Sequence, residues 1–249
     1  SIQKCINICL DGDTVYVANG IYYESLIVNK YLWLIGSSMD STVIDGTGIN
    51  GIVTTRITIQ IFNSVVIENF KIFGKELNNF ASAIELEGND YFKIKNCRIT
   101  NAYSGIIAGI TDCEFVNLIL YNINYIGLGA YSLPQFTNYY LYHNNIIRVN
   151  SSDGTLIGEA GEGIHTITNN ILLSNQNSMA IDLEYEKELT IKNNIISGFL
   201  WRGIRDSGPY NDTTFVHNNL FFNVNPQTSV LMYQGKTVSF KNNVVAYNG

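Results

Sequence analysis

The stretch "LTIKNNIISG" (189–198) pairs two asparagines between short apolar runs, and near-copies of it recur along the chain. They are "LYHNNIIRV" (141–149), "HTITNNILLS" (165–174), "TFVHNNLFFN" (214–223) and "VSFKNNVVAY" (238–247). Weaker copies precede them: "VVIENFKIFG" (65–74), "FKIKNCRITN" (92–101) and "LILYNINYIG" (118–127). Marking the first Asn of each gives positions 69, 96, 122, 144, 169, 193, 218 and 242, with intervals of 27, 26, 22, 25, 24, 25 and 24. An interval this steady describes a solenoid of stacked coils, each about two dozen residues long.

Within a coil the apolar residues alternate with polar ones and are rich in Ile, Val, Phe and Tyr, the pattern of a strand with one buried face. In "LTIKNN", Leu189 and Ile191 point one way, Thr190 and Lys192 the other. A second strand begins after the Asn pair and brings Ile72, Ile99, Ile147, Leu172, Ile196, Phe221 and Val245 into register. A third follows in "SGIIAG", "GTLIGE", "MAIDLE" and "RGIRDS". Three short strands and three turns per coil, with like residues above like, predict a single all-β parallel β-helix over residues 1–249.

The Asn pair has a physical reason. Asparagine tolerates the left-handed backbone region and so permits a sharp bend. Its amide donates and accepts, so stacked copies can bond as a ladder from 69 to 243, with Asn145, Asn170, Asn194, Asn219 and Asn243 as five internal rungs. At the start, Ile2, Cys5, Ile6 and Cys9 form one helical stripe, which predicts a capping helix within residues 1–10 over the open end of the solenoid.

Charged residues make up only 14% of the chain, the net charge is −6 and no basic stripe is present. Nucleic acid and anionic membrane are therefore poor partners. No 18-residue apolar run is available to span a membrane. A secreted or cell-surface location is expected, with any leader removed. The four cysteines form no disulfide framework: Cys5, Cys9 and Cys97 read as packing groups, while Cys113 is undecided.

The repeat, together with the opening "IQ…GDTVYVANGIYYE", resembles the right-handed parallel β-helix, pectate-lyase-like superfamily over essentially the whole chain. That superfamily includes lyases, hydrolases, esterases and non-catalytic surface proteins, so the resemblance implies a fold and a polysaccharide or oligosaccharide partner but no one reaction. It also implies that chemistry sits on the outer face of the third strand. There Asp182 and Glu184 point outward about 7 Å apart. Arg205 is expected beside Asp182 from the next coil, Glu159 near Glu184 from the previous one, and Asp206 at the edge.

Three carboxylates so close need a counter-charge, a proton or a cation. In the lyase reading Ca²⁺ held by Glu159, Asp182 and Glu184 acidifies a uronate proton, and Arg205 or His165 removes it. Counting from the Asn mark nonetheless puts His165 in an inward column. In the hydrolase reading two carboxylates act as acid and base or nucleophile. The third reading is a non-catalytic surface or glycan-binding module. Trp201, Tyr185, Tyr210 and Tyr131 fall near the acids and are candidate platforms for sugar rings.

Overall fold

The computed structural model describes residues 1–47, 57–74, 81–87, 91–109, 112–131, 137–150, 154–160, 163–174, 178–184, 186–199, 202–207, 213–225, 229–234 and 237–247. The chain is a right-handed parallel β-helix, as the repeat predicts. The first strands of successive coils form one ten-stranded parallel sheet running from Asp13–Val17 to Thr237–Lys241. Second and third strands stack likewise. In two coils they run together without a break, as Arg98–Ala108 and Ile119–Tyr131.

Register follows the apolar columns. Ile72, Ile99, Leu120, Ile147, Leu172, Ile196, Phe221 and Val245 lie one above the next. Every one except the last, half-buried member is fully buried. Each coil thus contributes the same inward positions to one continuous core, and each contacts chiefly its two neighbours.

The bends carry the ladder. Asn69, Asn96, Asn144, Asn169, Asn193, Asn218 and Asn242 all have φ between 51° and 64°, the left-handed conformation the sequence calls for. The residue after each bend turns inward: Phe70 and Cys97 in the first two of these coils, and Asn145, Asn170, Asn194, Asn219 and Asn243 in the other five. The backbone N–H of Asn170 donates to Asn194 Oδ1 (2.8 Å), that of Asn194 to Asn219 Oδ1 (2.9 Å) and that of Asn219 to Asn243 Oδ1 (2.9 Å). The Nδ2 groups of Asn170, Asn194 and Asn219 donate to the carbonyls of Tyr142, Ile167 and Ile191. Asn145, Asn170 and Asn194 are buried with these bonds made, the condition under which a polar interior is tolerated.

One coil is offset from the expected mark. Its bend is at Asn117 (φ 55°), followed by Leu118, and the strand before it is Asp112–Val116. Asn122 is also left-handed but belongs to a separate outer row, where its Nδ2 donates to Asn101 Oδ1 (2.5 Å). Cys113 and Phe115 consequently fill the inward columns, with Cys113 in register between Phe92 and Tyr140. Cys97 takes a ladder position as a fully buried thiol, its pKa pushed up to about 12 by that burial.

The capping helix α1 spans Ile2–Ile8 and buries Ile2 and Ile6 over the first coil. Cys5, expected on the apolar stripe, is exposed. Glu24 reaches back to the start of α1, where its carboxylate accepts from the N–H groups of Ile2 (2.9 Å) and Gln3 (3.0 Å) and from the Ser1 hydroxyl (2.8 Å). Those bonds outweigh burial and leave the Glu24 pKa below its ordinary value.

Candidate functional site

The third strands present their outward positions in two columns. One column runs Gln60, Glu85, Ile107, Gly129, Gly158, Asp182 and Arg205. The other contains Tyr131, Ala160, Glu184 and Ser207, and continues back toward Glu87. Gly129 and Gly158 leave the first column without side chains in two successive coils, a shallow trough between Ile107 and Asp182 with Tyr131 standing beside it in the second column.

At one end Arg205 closes on both acids. Its Nε and Nη2 donate to the two oxygens of Asp182, the Nη2 bond at 2.8 Å, and Nη2 also donates to Glu184 Oε1 at 2.6 Å. The side chains of Asp182, Arg205 and Glu184 are 12%, 28% and 33% exposed. The hydrogen bond to Asp182, joined by the charges of both carboxylates, raises the Arg205 pKa against the opposing effect of burial. Because one nitrogen serves both acids, their bonded oxygens lie within about 5.4 Å of each other, the two bond lengths laid end to end.

The rest of the expected cluster is placed differently. Asp206 is fully buried and in register with Leu183, its carboxylate accepting from the Thr214 hydroxyl. The alternation that turns Arg205 outward turns Asp206 inward. Glu159 is in register with Leu183, and Ala160 takes the place opposite Glu184, so the backbone does not bring Glu159 into the Glu184 column. The Glu159 side chain lies outside the described residues, as do Trp201, Tyr185 and Tyr210.

His165 is buried in the first-strand sheet, stacked on Tyr140 with ring centroids 4.7 Å apart. That is the inward column with Leu189, and the ring is in the interior rather than on the trough. His143 and His217 sit outside the bends, bonded to the hydroxyls of Thr168 and Ser239 (2.8 Å each).

The far end of the trough holds a second acid pair that the sequence reading passed over. Glu85 and Glu87 line a cavity of about 370 Å³ with Ile107, Gly109 and Tyr131, and Gln60 Nε2 donates to Glu87 Oε1 (2.6 Å). Burial raises the Glu85 pKa, with a contribution from the charge of Glu87 and a partial offset from a bond with Ser82. The signal was present in the sequence: "AIELEG" (83–88) and "AIDLEY" (180–185) share their pattern, four coils apart. At about 4.8 Å per coil the two pairs are separated by about 19 Å.

Among the described residues no three His, Cys, Asp or Glu side chains are placed to hold a metal. Asp182 and Glu184, two of the three carboxylates expected to take calcium, already face a guanidinium. A divalent ion between them would meet its positive charge, so Asp182 and Glu184 as paired with Arg205 offer calcium no uncompensated carboxylate charge.

No family model matches the sequence, and no curated protein matches it. Among solved structures, the chain is similar to a pectin methylesterase mutant in complex with a hexasaccharide, at 12% identity and TM-score 0.48, covering 96% of this chain and 85% of that one. It is also similar to a pectin methylesterase from carrot, at 11% identity and TM-score 0.49, covering 98% and 78%. A GH87 α-1,3-glucanase from Streptomyces thermodiastaticus is more distant, at 10% identity and TM-score 0.32. The fold assignment rests on the strand register described above, not on these likenesses.

Proposed function

We propose that the protein is a carbohydrate-active enzyme that binds a polysaccharide along the trough and cleaves it at Asp182 and Glu184 by hydrolysis. The observation that carries this reading is the sharing of Arg205 Nη2 between the two carboxylates. It keeps their bonded oxygens no more than about 5.4 Å apart, short of the roughly 6.5–9.5 Å that an intervening water needs, which favours direct attack by one carboxylate.

Asp182 is the less exposed acid and is fixed through both oxygens, which suits a nucleophile. One of its oxygens bonds to the anomeric carbon as the glycosidic C–O bond breaks. Glu184, at the lip of the trough, gives its proton to the leaving oxygen. Water then attacks the anomeric carbon, returns a proton to Glu184 and releases Asp182. Arg205 holds the nucleophile in place and supplies the counter-charge that the two clustered acids would otherwise need from a cation. The outward side chains Glu85, Glu87, Asp182 and Glu184 oppose one guanidinium, a balance that suits a neutral chain better than a polyuronate.

Calcium-assisted elimination from a uronan is the competing proposal. It needs a base, and the Arg205 guanidinium, whose pKa is raised by its carboxylate partners, is a poor one. The two reactions leave different products. Incubation with neutral glycans and polyuronates, with and without chelator, should release reducing ends without the ultraviolet absorbance of unsaturated sugars. Unsaturated product that disappears with chelator would restore elimination. Silence on every substrate would favour a non-catalytic binding module.

A further inference from the structure

A different face carries its own feature. On the outside of the first-strand sheet one column runs Tyr31, Ser64, Tyr91, Asp112, Tyr139 and Ile164, each one coil above the last. Tyrosine recurs on alternate coils, 39%, 40% and 58% exposed. The interval is two coils, about 9.6 Å, close to the length of two pyranose residues in an extended chain. Trp33 extends the first platform, its ring centroid 4.9 Å from that of Tyr31.

Between Tyr91 and Tyr139 is a cavity of about 290 Å³ whose polar lining is Asp112, Glu114 and Thr166. It is organised in advance. Burial and a hydrogen bond to Glu114 raise the Tyr91 pKa, and Glu114 is itself paired with Lys93 Nζ (2.5 Å). Asp112 Oδ1 accepts the backbone N–H of Tyr139 (2.8 Å). Aromatic faces for C–H surfaces and fixed polar groups for hydroxyls are what a sugar ring needs.

We propose that this face is a second glycan-binding surface, separate from the trough, that takes a linear uncharged polysaccharide laid along the solenoid axis with Tyr31, Tyr91 and Tyr139 as successive platforms. Charge selects the class. Lys93 and Glu114 cancel, Asp112 adds negative charge and no cation lines the cavity among the described residues, so a polyanion is repelled. Ser64 and Asp112 interrupt the aromatics in every gap, which suits a periodic chain better than the continuous apolar patch of a second protein copy.

Electrophoresis of the whole chain through gels containing xyloglucan, glucomannan, mixed-linkage β-glucan or polygalacturonate tests this. The wild type should be retarded by at least one neutral glycan. Tyr91→Ala and Tyr139→Ala, checked for unchanged melting, should each weaken that retardation about tenfold or more, since a stacked ring accounts for roughly 1.4 kcal/mol. Tyr139, the more exposed, serves if Tyr91→Ala does not fold. Tyr247→Ala, which removes a comparably exposed tyrosine away from both surfaces, should be retarded like wild type, which ties the loss to this column. The proposal is overturned if both tyrosine variants migrate as wild type, if no neutral glycan retards the protein, if only polygalacturonate does, or if the tyrosine variants instead abolish a concentration-dependent dimer.

Discussion

Arg205 stands one coil above Asp182 in direct register, and two of its nitrogens close on the two oxygens of that single carboxylate. The pairing depends on the fork shape of guanidinium, which an ammonium does not share. Arg205→Lys should therefore keep the local charge while lowering kcat at least tenfold. Melting should move by about 1 kcal/mol or less, as for other solvent-reached ion pairs. Combined with Asp182→Asn it should lose little more than Asp182→Asn alone, because groups acting as a unit are non-additive. Turnover by Arg205→Lys at the wild-type rate would remove Arg205 from the reacting centre.

Calcium gives a second test of the same site. A ligand selective for the folded chain raises its melting temperature. With Arg205 in place, wild type should show no calcium-dependent shift. Arg205→Ala frees Asp182 and Glu184 and should acquire one. A calcium shift in wild type that Asp182→Asn abolishes would show that the cation, not Arg205, is the resident counter-charge.

Glu85 carries a pH dependence of known sign. Its folded pKa is raised above the ordinary 4.5, so the unfolded chain releases this proton first as pH rises. Stability contributed by Glu85 is therefore intact below 4.5 and lost as pH climbs through the raised value. Glu85→Gln should raise the melting temperature at neutral pH, with the gain vanishing in acid. A gain of the same size at every pH would mean that packing, not ionisation, is responsible.

The ladder is expected to be sensitive at its middle rung. Asn194→Leu removes the acceptor for the Asn170 N–H and the donor to the Ile167 carbonyl, both buried. Leaving such groups without partners should cost about 1–3 kcal/mol, measured by denaturant unfolding. A neutral effect would place the ladder among the decorations of the bend rather than among its supports.

The fold was legible because the left-handed bend restricts residue choice and recurs once per coil. Legibility failed where that restriction was met twice. Asn117 and Asn122 are both left-handed, Leu118 replaces the second Asn, and the more obvious "YNIN" hid the true bend by five residues. The Asp182–Glu184–Arg205 cluster followed from strand alternation plus one coil length. Asp206 obeys that same alternation and belongs inside, not at the edge of the cluster. Glu159 was displaced by a single residue of register, since Ala160 and not Glu159 faces Glu184. Such an offset is invisible without the pairing itself. Tyr31, Tyr91 and Tyr139 are too far apart in sequence to suggest one column until the coils between them are aligned.

The ladder also makes each coil an exchangeable cassette. Asn145, Asn170, Asn194 and Asn219 present the same acceptor to the coil below and the same N–H to the coil above, so any two such coils carry matching joints. Excising residues 169–192 would join "HTIT" to "NNIISG" and set Asn194 against Asn145 with the joint intact. The excised cassette contains Asp182 and Glu184, leaving Arg205 opposite Gly158. Scaffold and chemistry are thus separately heritable in this chain: a lineage could shed the reacting groups in one deletion and keep a shorter solenoid with its tyrosine column unbroken.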